Sequence, residues 1–294
     1  MIQRNNNLSV LPFYTNRQEL SNERTYAYGE VYPLYTPLGS VPPFQIIKSY
    51  TDAYVSAAYL HKYGDADSVV IDVKQKLVGA GLTTKHYSAA GYDIVVFPSI
   101  APANITTAEG RYQLFITMSD GEVFTSDWFT VVGDMSNFLQ IQWWDLQDLV
   151  MDNARIVYGD DYKNTLWLNT QLGKPEYDFT EEGETRDGYF FPEKMVSEKK
   201  YKCVILAPEY LCDVMRFIRM SDFVVIKDRW GHRYRCDTFL CTPKWETQGD
   251  LASVEIEFTC DTVAKKIGRG YVDLEAGDDF NDDFNNDFDI TVNN

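Results

Sequence analysis

The sequence predicts a mainly β protein with four parts: an N-terminal extended arm, an immunoglobulin-like β-sandwich, a second β-rich domain carrying one helix, and an acidic C-terminal tail. Three observations indicate this. At 294 residues and 45% hydrophobic content, the chain can bury cores for two domains. Its 20 Tyr, 17 Phe and 6 Trp suit β-sheets and contact surfaces. Short apolar runs bounded by turn residues recur from residue 44 onward.

Residues 1–44 are predicted to form the extended arm. This segment combines tyrosines with prolines and shows no helical or strand period long enough to fold alone. An arm of this kind must pack on its own body or on a neighbouring molecule. The side chains expected to make protein contacts are Tyr26, Tyr28, Tyr32 and Tyr35.

Residues 45–133 are predicted to form the sandwich. Strand-like runs begin at residues 44, 68 and 92, with the sequences FQIIKSY, SVVIDV and YDIVVF. In residues 111–132, an alternating run is followed by the turn pair Asp120-Gly121 and a returning run, which is a strong hairpin signal. Turn-separated strands over about 90 residues are typical of a small sandwich.

Residues 134–269 are predicted to form the second β-rich domain. Six runs are interpreted as strands: FLQIQWW, TLWLNTQL, YKCVILA, FVVIKD, HRYRCDTFLCT and ASVEIEFTCDTV. The segment DFTEEGETRDGYFFPEK is interpreted as a long exposed loop. Pro208 suits the first turn of a helix, and the apolar residues after it fall at helical spacing, so we expect a helix near 208–220. Val254, Ile256 and Phe258 alternate with polar residues, which indicates a sheet with one buried face.

Composition excludes several classes of function. The formal net charge of −17 repels a phosphate backbone and no run of Lys or Arg offsets it locally, so we expect no direct nucleic-acid binding. We find neither the apolar core of a secretory signal nor the roughly 18-residue apolar run of a membrane helix. The odd number of cysteines predicts buried free thiols at Cys203, Cys212, Cys236, Cys241 and Cys260.

Catalytic and metal motifs are weak throughout the sequence. The three histidines, His61, His86 and His232, sit in no nucleophile or metal motif, and the cysteines lack paired zinc-ligand spacing. We therefore expect no enzyme activity, no metal and no cofactor.

A charge-rich loop is usually just solvated, and two functional interpretations stand beside that one. Its clustered carboxylates could serve a glycosidase, and the aromatic residues beside them could grip a sugar. We favour contact with a partner protein, through Tyr177, Phe179, Tyr189, Phe190 and Phe191. Trp143 and Trp144 could form a stacking platform, but successive strand residues face opposite sides, so we expect one of them to fill a core.

The tail at 270–294 contains phenylalanines at four-residue spacing among Asp and Asn. A solubility tail does not require that spacing, and a calcium loop would need a glycine at position six and a closing Glu. Asp and Asn are weak helix formers, so a helical stripe would need a partner to hold it. We interpret the tail as a docking peptide whose contact residues are Phe280, Phe284 and Phe288.

Four stretches together resemble a known group of proteins: YGEVYPLYTPLGSVPPFQIIKS, GRYQLFITMSDGEVFTSDWFTVV, PEYDFTEEGETRDGYFFPEK and WETQGDLASVEIEFTCDTVAKK. They resemble uncharacterised virion proteins of tailed phages and prophages of Bacteroides-like hosts, including the crAss-like group. The likeness spans most of residues 26–266 and consists of turn glycines and strand aromatics, so it implies a kind of protein and no catalytic residue.

The expected function is therefore a non-enzymatic structural subunit of a phage tail, baseplate or neck. It would be made in the host cytoplasm and would assemble into a homo-oligomeric ring, and with other virion proteins, through its arm and tail. The alternatives are a carbohydrate- or receptor-binding module of a phage tail and a surface-glycan hydrolase.

Overall fold

The computed structural model describes residues 9–15, 34–64, 70–98, 103–105, 107–146, 156, 162–246 and 251–266. Within these residues lie seventeen β-strands and two short α-helices. The predicted mainly β fold is confirmed. None of the described helices combines the length and the apolar character needed to cross a lipid bilayer.

The described residues divide into two compact units. The first comprises residues up to 178 together with 198–262, and the second comprises 179–197 together with 263–266. The predicted sandwich and the predicted second domain thus fall in one unit, where a boundary near residue 133 was expected. The reason is direct packing, because the rings of Tyr35 and Phe138 lie 4.9 Å apart and both regions share one hydrophobic core.

Two sheets form the sandwich. The larger contains β1 (Phe13–Tyr14), β2 (Tyr35–Pro37), β4 (Val55–Lys62), β5 (Val70–Asp72), β8 (Gly110–Met118), β9 (Val123–Ser126) and β10 (Phe129–Val132). The smaller has the order β3 (Phe44–Ser49), β7 (Tyr92–Phe97), β6 (Thr83–Tyr87). Phe13 of the larger sheet meets Phe44 of the smaller at a ring distance of 4.8 Å. Side chains of both sheets join one core, which is the arrangement of an immunoglobulin-like sandwich.

The hairpin predicted around Asp120-Gly121 is present. β8 pairs antiparallel with β9, and Gly121 adopts a φ of +89°, which a glycine reaches without strain. The returning run is divided in two, because β9 pairs with residues 115–117 of β8 and β10 pairs with residues 110–112. The break falls at buried Asp127, whose backbone N–H donates to the carbonyl of Pro12.

The described parts of the predicted arm belong to the sandwich. β1 pairs antiparallel with β9, and β2 runs parallel to β10. Leu11, Phe13 and Leu34 are buried in the core. Residues 9–15 and 34–44 therefore pack on their own body, because their aromatic and aliphatic side chains complete the sandwich core.

A further seven-stranded sheet, named the second sheet because it forms the second predicted domain, follows the sandwich. Its strand order is β12 (Asn164–Leu168), β11 (Leu139–Trp144), β15 (Phe223–Lys227), β16 (Arg233–Trp245), β17 (Leu251–Lys266), β14 (Tyr189–Pro208) and β13 (Glu176–Arg186). Five of these coincide with predicted strands. Only residues 201–207 of β14 were predicted as strand, and β13 lies in the segment predicted to be a loop. The predicted alternation of β17 is confirmed, since Val254, Ile256 and Phe258 are buried while Ser253 is exposed.

Two short α-helices accompany the sheets. α1 (Lys74–Gly79) was not predicted, because six residues are too few to show a helical period. α2 (Glu209–Met215) lies within the predicted range, and a 3₁₀ turn follows at Ile218–Met220. Pro208 precedes the first helical residue of α2 with extended backbone angles. The predicted apolar face is confirmed by burial of Leu211, Val214, Met215 and Ile218.

Candidate protein-binding hairpin

A long β-hairpin occupies the segment predicted to be a loop. β13 and β14 are neighbours in the sheet, joined by Asp187-Gly188. Both turn residues have positive φ, +51° and +83°, which is the backbone of a type I′ turn and is favoured by the pair Asp-Gly. The segment was predicted to be a loop because of its charge and glycine content. Its Asp-Gly pair is the same turn signal that predicts the hairpin at Asp120-Gly121.

Every residue of β13 is exposed. Because successive side chains of a strand point to opposite faces, exposure at each position means that neither face of β13 is covered by described residues. A two-stranded ribbon with two wet faces is marginally stable by itself in water. The hairpin therefore gains little stability from burial against the described residues.

The five aromatic residues predicted to contact a partner all lie on this hairpin and are exposed. Their exposed fractions are 62% for Tyr177, 71% for Phe179, 72% for Tyr189, and 49% for both Phe190 and Phe191. Large apolar side chains gathered in one exposed element are typical of protein interaction sites. The structure thus places all five predicted residues on one hairpin and leaves each of them exposed.

Ion pairs use most of the charges of the hairpin. Glu182 lies 3.2 Å from Lys194 across the two strands, and Glu184 lies 2.6 Å from Arg186 within β13. Nearer the ends of the two strands, Asp178 pairs with Lys200 at 3.0 Å and Glu176 with Lys202 at 3.1 Å. Exposed pairs of this kind contribute about 0–1 kcal/mol each, so they orient the side chains more than they stabilise the fold.

One carboxylate of β13 is not used in this way. The Glu181 side chain is exposed, and its carboxylate makes no ion pair or hydrogen bond with the described residues. By the alternation of the strand, it shares a face with Tyr177 and Phe179. One face of β13 therefore carries the rings of Tyr177 and Phe179 and, beside them, the unpaired carboxylate of Glu181.

Gly183 allows the two strands to approach each other closely. A Cβ atom at this position would overlap the backbone carbonyl of Phe191, which is not a flexible group that can move aside. The requirement for glycine here comes from the neighbouring strand and not from an unusual backbone angle.

One backbone edge of β13 is unpaired among the described residues. β13 is the last strand in the order of its sheet, with β14 on one side, and no described strand lies on its other side. An edge strand presents unpaired N–H and C=O groups that can accept another chain. β13 offers eleven residues of such an edge.

The remaining predicted contact residues are placed as follows. Tyr35 of the arm is half-buried in β2 and packs edge-on against Phe138. Tyr26, Tyr28 and Tyr32 lie outside the described residues, as do Phe280, Phe284 and Phe288 of the tail.

The tryptophan pair does not form an open platform. Trp143 is buried, as expected for one of the two. Trp144 stacks on Phe223 at 5.2 Å, and the ammonium of Lys163 lies 4.5 Å from the centre of its ring. The ring of Trp144 is therefore engaged within the chain, which leaves the glycan-binding alternative without this support.

The histidines make structural contacts. His86 Nδ1 lies 2.9 Å from a carboxylate oxygen of buried Asp93, and the His61 ring lies 4.2 Å from that of Phe115. The carboxylate of Asp228 accepts hydrogen bonds from the backbone N–H of His232 and the hydroxyl of Tyr234, organising the turn between β15 and β16. Among the described residues, no three Cys, His, Asp or Glu side chains are grouped to hold a metal ion.

The five cysteines are free thiols in buried or half-buried positions, as predicted. Burial raises the pKa of Cys203 and of Cys241 to about 12, and that of Cys212 and of Cys260 to about 11. The pKa of Cys236 is raised for the same reason. These thiols stay protonated at neutral pH, so they behave as small apolar side chains.

Comparison with known proteins identifies no family. No family model and no curated protein matches this chain. Among solved structures, the chain is similar to the titin domains Z1Z2 in complex with telethonin, at 10% sequence identity, over 79% of this chain and 90% of that chain, with a TM-score of 0.17. A TM-score this low establishes no shared fold and no shared function.

Proposed function

We propose that this chain is a non-enzymatic structural subunit of a phage virion and that it binds a neighbouring protein through the β13–β14 hairpin. The observation that supports this is the exposure of both faces of β13 together with five exposed aromatic side chains. The sequence resemblance to phage virion proteins supports the setting. Further copies of the chain, arranged as a ring, and other virion proteins are the proposed partners.

The energetics agree with a binding role. Covering one half- to three-quarter-exposed aromatic ring contributes about 1–2 kcal/mol. The five rings together contribute roughly 5–10 kcal/mol, which is of the same order as the 4–15 kcal/mol lost in association. The rings therefore supply a large part of the required free energy, and a stable complex needs additional interactions from the same surface.

The test of this proposal uses virions of the parent phage. We expect the chain to be a component of purified particles, detected by mass spectrometry. The triple variant Tyr189→Ser, Phe190→Ser, Phe191→Ser should be incorporated at least tenfold less than the wild type, because it removes three exposed rings of the hairpin.

A matched control comes from exposed aromatics outside the hairpin. Tyr54→Ser and Trp230→Ser change side chains that are 62% and 71% exposed, and both should be incorporated normally. Circular dichroism of each purified variant establishes that it is folded. Absence of the wild-type chain from particles, or normal incorporation of the folded hairpin variant, would overturn the proposal.

A further inference from the structure

The free edge of β13 suggests how the hairpin binds its partner, an inference that rests on the proposed function. The aromatic rings alone provide free energy of the same order as the cost of association. The unpaired N–H and C=O groups along the edge of Glu176–Arg186 provide a second source, because an added strand forms hydrogen bonds with them. We propose that β13 is extended by a strand from another protein, a segment that alternates apolar and basic residues.

The side chains of β13 indicate the pattern of that strand. Tyr177, Phe179 and Glu181 lie at alternate positions on one face. In neighbouring strands, side chains directly opposite each other interact, and unlike charges or apolar pairs stabilise the pairing. The added strand therefore carries two apolar side chains opposite Tyr177 and Phe179 and a Lys or Arg opposite Glu181.

Charge excludes two other occupants. β13 itself carries five acidic side chains and one basic side chain, so pairing β13 with β13 of a second copy would bring like charges together. The acidic tail of this chain has the same difficulty, since residues 271–294 contain no Lys or Arg. A basic segment of a different protein fits the edge of β13 without this repulsion.

The first experiment measures binding of fluorescently labelled ten-residue peptides to the full chain by anisotropy. A peptide that alternates Val and Lys should bind at least tenfold more tightly than one that alternates Val and Glu. Hydrogen exchange of the complex should show new protection within residues 176–186. The proposal would be contradicted if the two peptides bound equally tightly. It would also be contradicted if binding protected other residues from hydrogen exchange and left residues 176–186 unprotected.

Backbone methylation separates strand addition from simple contact between side chains. In a strand, alternate N–H groups point toward opposite edges. N-methylation of one alternate set of peptide residues should weaken binding at least tenfold, and methylation of the other set should change it less than threefold. If methylation of neither set weakens binding, strand addition is wrong. The proposal that the aromatic rings bind a partner is tested separately, by incorporation of the chain into virions.

The unpaired carboxylate provides a charge test with a matched control. Glu181→Lys should weaken binding of the basic peptide about five- to tenfold, because it places like charges opposite each other. Glu246→Lys makes the same change in net charge at an exposed residue just beyond β16, separated from β13 by two strands in the sheet order. An equal effect of both substitutions would show that total charge, and not the edge of β13, attracts the peptide.

Discussion

Lys48 is a buried cation that joins the two sheets of the sandwich. It lies on β3, and its ammonium contacts the carboxylate of Asp120 and lies 3.2 Å from that of Glu122, both at the turn that follows β8. Burial by itself would lower the pKa of Lys48, but the hydrogen bonds to these two carboxylates outweigh it and raise the pKa. The hydroxyl of Thr51 also donates to Asp120 at 2.8 Å. A buried charge paired in this way fixes the relative position of the elements that carry it.

The pair of Lys48 and Asp120 makes stability depend on pH. Hydrogen bonds from Lys48 and then Thr51 lower the pKa of Asp120 to about 2. A carboxyl whose pKa is lower in the folded state contributes stability above its unfolded pKa and loses it as the pH falls. We expect the free energy of unfolding to drop by about 1–2 kcal/mol between pH 4 and pH 2 from this group, measured by urea denaturation.

Replacing the carboxylate tests this assignment. Asp120→Asn should remove that part of the pH dependence and lower stability near pH 7. The same replacement at exposed Asp187 keeps an Asn-Gly turn between β13 and β14 and should leave the acid transition unchanged. An Asp120→Asn protein with the acid sensitivity of the wild type would show that other carboxyls are responsible.

The buried thiols lead to a second prediction at the level of single residues. Because burial raises the pKa of Cys203 to about 12, its thiolate population at pH 8 is about a thousandfold smaller than that of an ordinary thiol. We expect iodoacetamide to leave Cys203 unmodified in the native protein and to modify all five cysteines in guanidinium chloride, as measured by mass spectrometry. Rapid native labelling of Cys203 would contradict its burial.

The hairpin is the element whose stability is most separate from the rest of the chain. Its residues 179–197 belong to a compact unit apart from the sandwich and the body of the second sheet. Its strands depend on the Asp187-Gly188 turn, on surface ion pairs, and on the close approach at Gly183. None of these contributes to the large hydrophobic core, so local opening of the hairpin need not unfold the protein.

Gly183→Ala tests that independence. The added methyl overlaps the carbonyl of Phe191, so we expect at least tenfold faster hydrogen exchange in residues 179–197. The melting temperature of the whole protein should change by less than about 2 °C, because the main core is untouched. Gly79→Ala is the control, since a Cβ there meets no atom within 4 Å. A large fall in the melting temperature with Gly183→Ala would show that the hairpin and the core unfold together.

At the scale of the whole molecule, the sandwich and the body of the second sheet form one unit. The shared core contains Phe44 and Leu114 of the sandwich together with Trp143, Leu211 and Phe258 of the second region. Contacts that cross the expected boundary, such as the one between Tyr35 and Phe138, couple the two regions. We therefore expect these regions to unfold in a single cooperative transition.

Trp143→Ala tests this coupling. Trp143 is buried in β11, and removing so large a side chain from a core costs about 3–5 kcal/mol. Native-state hydrogen exchange should show equal losses of protection in β8 of the sandwich and in β16 of the second sheet. Loss confined to β16 would mean that the sandwich unfolds independently.

Local patterns in the sequence determined much of this protein. Runs of apolar residues predicted the strands from β11 to β17, except β13 and the part of β14 before residue 201, and helical spacing after Pro208 predicted α2. The turn pair Asp120-Gly121 predicted the hairpin of β8 and β9. The candidate interaction residues were recognisable as aromatics in a charged stretch, since large apolar side chains among carboxylates stand out without knowledge of the fold.

Only the tertiary structure decided how these parts are used. The arm residues near Phe13 and Tyr35 show no strand period, and they become strands because β9 and β10 present edges for them. β13 has no buried face and its apolar alternation is limited to Tyr177 and Phe179, so its strand conformation comes from pairing with β14. The pairing of Lys48 with Asp120 spans 72 residues of sequence. Local composition thus determined most of the strands and which side chains are apolar, whereas contacts between distant segments decided which strand edge and which aromatic rings the described residues leave uncovered.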